Sequence, residues 1–155
     1  MIFITLGSQK FQFNRLLADV DTVMDQMQLD VIVQAGASTY QARNFGVTPF
    51  MAPREYQQNV LQADVIITHG GAGTIVNALK LGKRVIAMPR LAQYGEHVDD
   101  HQIQIIEAFT NQNLILSATN AKELSQALQD IQTHQFATFI SNTPNFIDQL
   151  KTVIK

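Results

Sequence analysis

Short runs of β-branched and aliphatic residues alternate along this chain with longer segments whose apolar positions recur every three or four residues. Ile2–Leu6, Val31–Gln34, Val47–Met51, Val65–Thr68, Arg84–Met88 and Leu114–Leu116 read as strands. Phe11–Met27, Glu55–Ala63, Gly73–Leu81, His97–Phe109 and Ala121–Ile131 read as helices. Pro144–Ile154 reads as a last helix with proline near its first turn. Strands that are apolar throughout, rather than alternating, suit a parallel sheet covered on both faces. The βα alternation predicts an α/β fold, a single Rossmann-like, doubly wound parallel sheet over residues 1–155, with no repeat or linker dividing it. Such sheets bind ligands beyond the carboxyl ends of their strands. The loops after Leu6, Gln34, Met51, Thr68 and Met88 are therefore the candidate site.

One of these loops stands apart. After Val65–Thr68 comes His69-Gly70-Gly71-Ala72-Gly73-Thr74, three glycines in four positions ahead of a helical pattern. Glycine lets a ligand approach the backbone closely, and the helix start offers unpaired N–H groups and the positive end of its dipole. Thr74 can add a hydroxyl. An anion or phosphate cradle is predicted here, and beside it His69 reads as a donor to a phosphate oxygen rather than as a satisfied core histidine. Arg90 either neutralises that anion or forms a surface ion pair. Gln34 and Ser38 are minor cleft candidates.

The cradle matches neither common nucleotide motif. The loop after the first strand, Gly7-Ser8-Gln9-Lys10, has a single glycine, and the second strand ends in Gln34 rather than an acid, so a dinucleotide fingerprint is absent. No Gly-Lys-Ser/Thr follows the glycines, which excludes a P-loop.

Composition narrows the classes further. Net charge is −2 with no block of like charge, so nothing points to nucleic acid. Hydrophobic residues make up 46% and charged ones 15%, enough for a core with apolar surface left for a partner. Without cysteine there is neither a disulfide framework nor a thiolate metal site. Neither a signal peptide nor a membrane-spanning run is apparent, and an intracellular domain is expected.

A second dense stretch runs from Pro89-Arg90 through Glu96-His97-Val98-Asp99-Asp100-His101-Gln102. If helical, it sets His97 and His101 at i and i+4, close to a zinc-hydrolase motif with Asp in place of Glu, although no third ligand is evident. The plainer reading is an acidic helix start that favours the dipole.

Taken in order, Thr5-Leu6-Gly7-Ser8, Gln34-Ala35-Gly36, His69–Thr74, Pro89-Arg90 and Glu96–Gln102 resemble the C-terminal, donor-binding half of the family 28 GT-B glycosyltransferases. The likeness is greatest to short bacterial exopolysaccharide and capsule transferases that work as split enzymes, which parallel the split eukaryotic enzyme acting on dolichol-linked chitobiose. The resemblance implies one half of a GT-B fold and an inverting transfer of a hexosyl group from a UDP-sugar, as substrate, to a lipid-linked saccharide, with no metal or other cofactor. It places Gly70, Gly71, Ala72, Gly73 and Thr74 on the diphosphate, Phe50 and Met51 around the uracil, and Asp100, His101 and Gln102 on the sugar or phosphate. Gly7 and Ser8 would line the cleft facing the acceptor half. Asn77 stands where the lipid-II enzyme has a ribose-binding glutamate. Glu96 and His97 are the local acid–base candidates.

The resemblance also implies a membrane-anchored acceptor-binding subunit as partner, which would hold the chain at the inner face of the cell membrane. The apolar face Phe146, Leu150, Val153 and Ile154 suits such docking, or packing on its own sheet. A non-catalytic sugar-nucleotide-binding module is the rival from another class. A nucleotide-sugar epimerase would need both domains in one chain.

Overall fold

A computed structural model describes residues 1–140. Five parallel strands form one sheet in the order β2-β1-β3-β4-β5: β1 Ile2–Thr5, β2 Val31–Gln34, β3 Val65–His69, β4 Arg84–Met88 and β5 Leu116–Ser117. The helices are α1 Asn14–Met24, α2 Pro53–Gln62, α3 Ala72–Lys80, α4 His101–Asn111 and α5 Ala121–Asp130. The expected helix over 144–154 lies outside the described residues.

The sheet is buried on both faces because neighbouring strand residues point to opposite sides. Ile4, Val65, Ile67, Ile86 and Met88 pack with Leu16, Leu17 and Val20 of α1 and Leu124 and Leu128 of α5. Phe3, Ile66, Val85 and Ala87 pack instead with Val60 of α2, Ile75 and Ala78 of α3, and Ile105, Ile106 and Phe109 of α4. The sheet is thus doubly wound. β1 pairs in parallel with both β2 and β3, so the connections leaving β1 and β3 depart to opposite faces and a crevice opens between their carboxyl ends. The glycine turn follows β3 at that switch point.

Two expected elements differ. Val47–Met51 is not a strand: its only ladder contact is a bridge between Thr48 and Gln34, and Pro49 has no N–H to extend it. Helix α4 begins at His101 rather than His97. Asp99 Oδ1 accepts from His101 N (3.0 Å) and Asp100 Oδ1 from Ala92 N (2.8 Å), so the aspartates hold a turn where the helix was expected.

Candidate functional site

Gly71 precedes α3 with an extended backbone, and no side chain caps that helix. Its first intrahelical bond runs from Ile75 N to Gly71 O (3.1 Å), so the amides of Ala72, Gly73 and Thr74 are left for a ligand or solvent. A cavity of about 290 Å³ opens at this turn, lined by Gly70, Gly71, Ala72 and Gly73, by His97, Asp99 and His101, and by Gln9, Gln102 and Ile105. The expected glycine turn therefore lines a cavity, and α4 supplies its opposite wall.

His69 ends β3 with only 3% of its surface exposed. Its Nδ1 lies 3.1 Å from Gln102 Nε2 and 3.4 Å from Arg90 Nε. Burial, reinforced by the Arg90 charge, pushes its pKa down to about 3, so the ring is neutral at any physiological pH. Nε2 is buried without a partner. Gly7, at φ +75°, and Gly71 close over this side of the ring, and a Cβ on either would come within 2.7 Å of Nε2. These two glycines are needed because the imidazole fills the place of a side chain.

Arg90 does not face the cavity. It is 1% exposed, and its guanidinium donates to the carbonyls of Leu6, Phe11, Gln12 and Glu96 while stacking on Phe13. Neither a diphosphate contact nor a surface ion pair describes it: Arg90 ties the loop after β1 to the loop after β4. Burial lowers its pKa to about 10, so it stays charged at neutral pH.

Glu96 is likewise corrected from acid–base candidate to structural anchor. Its buried carboxylate takes Arg15 Nε (3.1 Å) and Nη2 (3.0 Å) in a forked pair and also accepts from Leu91 N (2.9 Å). Gln102 Oε1 accepts from Gly70 N (2.9 Å) and Arg90 N (3.0 Å), which uses its oxygen on the ends of β3 and β4 rather than on a sugar. Asp100, expected on the sugar, is occupied with Ala92 and is not among the cavity's lining residues.

His97 keeps its place on the wall, with Nδ1 3.2 Å from Asp99 Oδ1. The amide of His101 holds the Asp99 carboxyl below its usual range. Because His97 precedes α4, the i, i+4 helical spacing behind the zinc reading is absent. Among the described residues no group of three His, Cys, Asp or Glu side chains could hold a metal ion.

Thr74 and Asn77 lie further along α3, with Asn77 exposed. Phe50 (57% exposed) and Met51 sit on the loop after β2, and Ser8 is exposed beside Gly7. Gln34 Oε1 accepts from Met51 N (3.0 Å) and Ser38 Oγ from Phe13 N (2.8 Å), so both minor candidates brace loops. Three wall residues were not foreseen, one of them the apolar Ile105 of α4. Gln9, with Oε1 buried and unpartnered, could have been found from its place after Gly7; Asp99 was passed over for its neighbour Asp100.

Residues 1–154 match the glycosyltransferase family 28 C-terminal domain. The chain belongs to that family. Among curated relatives, the Candida glabrata protein named UDP-N-acetylglucosamine transferase subunit ALG13 is 35% identical over 106 residues, which is 63% of this chain and 51% of that protein. The Kluyveromyces lactis protein of the same name is 32% identical over 83 residues, 53% of this chain and 40% of that one. The family 28 chain thus spans about half the length of these relatives, or less. Its fold superposes on the solution structure of ALG13 (TM-score 0.65, 19% identity, 99% of this chain and 96% of that one). It also superposes on MurG of Acinetobacter baumannii (TM-score 0.62, 18% identity), covering 97% of this chain but 49% of MurG. A single α/β unit of this kind corresponds to one half of a GT-B fold.

Proposed function

We propose that this chain is the donor-binding subunit of a two-component, inverting glycosyltransferase that moves a hexosyl group from a UDP-sugar to a lipid-linked saccharide. The observation that carries the reading is the uncapped α3 N-terminus opening, at the switch point of a family 28 fold, into a cavity whose wall holds histidines and an aspartate. Helix-start amides and the neutral His69 would receive the charge that develops on the departing diphosphate. No arginine or lysine lines this cavity among the described residues, so on this reading the stabilisation would come from the fixed dipoles of the helix-start amides, and no metal or other cofactor is invoked. Phe50 and Met51, on the loop after β2, would frame the base. His97, oriented by Asp99, is this chain's group for proton transfer, and His101 on the same wall meets the sugar or phosphate.

The acceptor side of the cleft would come from a second, membrane-anchored subunit, which holds the chain at the inner membrane face. The relatives' names, each a transferase subunit, support a partner. The exopolysaccharide or capsule acceptor rests on the motif resemblance in the sequence alone; the curated relatives are yeast transferase subunits. Calorimetric titration with UDP, ADP, NAD and zinc tests the donor site. Selective UDP binding is expected; zinc binding without UDP binding would refute it. A sugar-nucleotide-binding module without catalysis would bind UDP yet leave the reconstituted pair's turnover unchanged by His97→Ala.

A further inference from the structure

The hydrogen-bond accounting around His69 fixes more than its charge. Gln102 has one amide oxygen and one amide nitrogen, and its oxygen already accepts two backbone N–H groups, Gly70 N at 2.9 Å and Arg90 N at 3.0 Å. Those two donors determine which way the amide points, because turning it over would set N–H against N–H. The Nε2 amino group therefore faces His69 Nδ1, 3.1 Å away, and can only donate. Arg90 Nε, at 3.4 Å from the same nitrogen, is also only a donor. Nδ1 is thus an acceptor, and the ring's one proton resides on Nε2, the atom buried without a partner between Gly7 and Gly71.

We propose that Gln102 is a positioning residue that locks His69 as its Nε2–H tautomer, presenting one uncharged N–H donor between Gly7 and Gly71 to an oxyanion of a nucleoside diphosphate. The ligand half of this inference rests on the donor-site reading above; the tautomer half does not. An unpaired buried N–H costs free energy that an incoming oxygen would recover, which favours the bound state. The same geometry gives the two glycines a common purpose. A methyl on either would press against Nε2 and displace the ring.

The test is long-range ¹H–¹⁵N correlation of the histidine rings in the full chain, with and without UDP, together with the near-isosteric variant Gln102→Glu. In the wild type His69 should show protonated Nε2 and unprotonated Nδ1, and added UDP should move the Nε2–H proton downfield. A carboxylate at position 102 can still accept from Gly70 and Arg90 but has no hydrogen for Nδ1. The variant's ring should take up the Nδ1–H form, and UDP affinity should fall about 10- to 100-fold, the range for losing one hydrogen bond to a charged group. Affinity for uridine, which lacks the phosphates, should not change.

An Nδ1–H tautomer in the wild type, a UDP complex with an unmoved Nε2–H signal, or a variant whose ring pattern and UDP affinity match the wild type would each overturn the proposal. If the variant fails to fold, the wild-type spectrum alone still decides the tautomer. A wild-type Nε2–H ring in a chain that does not bind UDP would uphold the positioning role while refuting the donor-site reading.

Discussion

Gly71 and Gly73 lie two residues apart in the same turn, and the structure predicts opposite responses to the same substitution. A Cβ on Gly71 would lie 2.7 Å from His69 Nε2 and closer still to Cε1, so Gly71→Ala must displace the imidazole. The backbone of Gly71 is extended, at φ −76° and ψ 119°, which alanine adopts freely. The cost is therefore steric. Forcing a methyl into a close-packed interior costs about 1–3 kcal/mol, and disturbing the bonds at His69 Nδ1 adds about 1 kcal/mol. At Gly73 a Cβ meets nothing within 4 Å, and the residue lies in the first turn of α3. Gly73→Ala should stabilise by up to about 1 kcal/mol through reduced chain entropy. Urea denaturation followed by circular dichroism would read a separation of about 2–5 kcal/mol between the variants, with the melting point of Gly71→Ala lower than wild type by roughly 5–15 °C. Coincident unfolding curves for the two alanine variants would refute the packing of His69 against Gly71.

Acid should weaken the fold through His69. Its ring stays neutral in the native state to about pH 3, whereas the unfolded chain protonates it near pH 6.5, so stability is full above 6.5 and falls as pH drops below it. The loss between pH 6.5 and 4.5 is roughly 3 kcal/mol at most, and His69→Gln should remove that slope in a pH series of denaturation curves. Arg90→Met strips the donor from the carbonyls of Leu6, Phe11, Gln12 and Glu96 and should cost about 3–5 kcal/mol; Arg90→Lys should not restore it, because an ammonium cannot span that set. Glu96→Gln should lower stability by about 1–3 kcal/mol yet leave turnover per folded molecule near wild type in the complete enzyme; a collapse of kcat in a stably folded variant would return Glu96 to catalysis. His97→Ala should cut kcat about 100-fold or more with little change in the melting point.

What the sequence made legible follows from range. The βα order, the two-faced burial and the phosphate-type turn are local patterns, and hydrophobic period and glycine clustering report them directly. The errors came from local signals that tertiary contacts overrode. Val47–Met51 carries β-branched and aromatic residues, but Pro49 denies it a ladder, and Phe50 is left facing solvent. The pattern from His97 onward is helical in period, but Asp99 and Asp100 spend their side chains on backbone amides and delay the helix. Arg90, Glu96 and Gln102 show why a motif locates a site without assigning its roles. A charged or amide residue beside a cradle reads as a ligand contact. Whether it faces the ligand or the residues behind it depends on partners such as Arg15, eighty-one positions from Glu96.

That division between wall and backing bears on how the site would work. The charged pair Arg15–Glu96 and the buried Arg90 hold the loops after β1 and β4 in place, and neither carboxylate nor guanidinium of this set lines the cavity. The wall itself offers helix-start amides and the His97–Asp99 pair, with the neutral imidazole of His69 buried behind the glycines. Dipoles fixed in this way change little as charge builds on a leaving group, so little reorganisation energy is spent during the reaction. A free arginine at the same place would attract the diphosphate in the ground state as strongly as in the transition state, favouring binding over rate. On the proposed reading, a wall that stabilises a leaving group, with the His97–Asp99 pair for proton transfer, would be half of a reaction. The surface that orients the attacking hydroxyl would then lie opposite it, and the proposed second subunit across the carboxyl edge of the sheet would provide it.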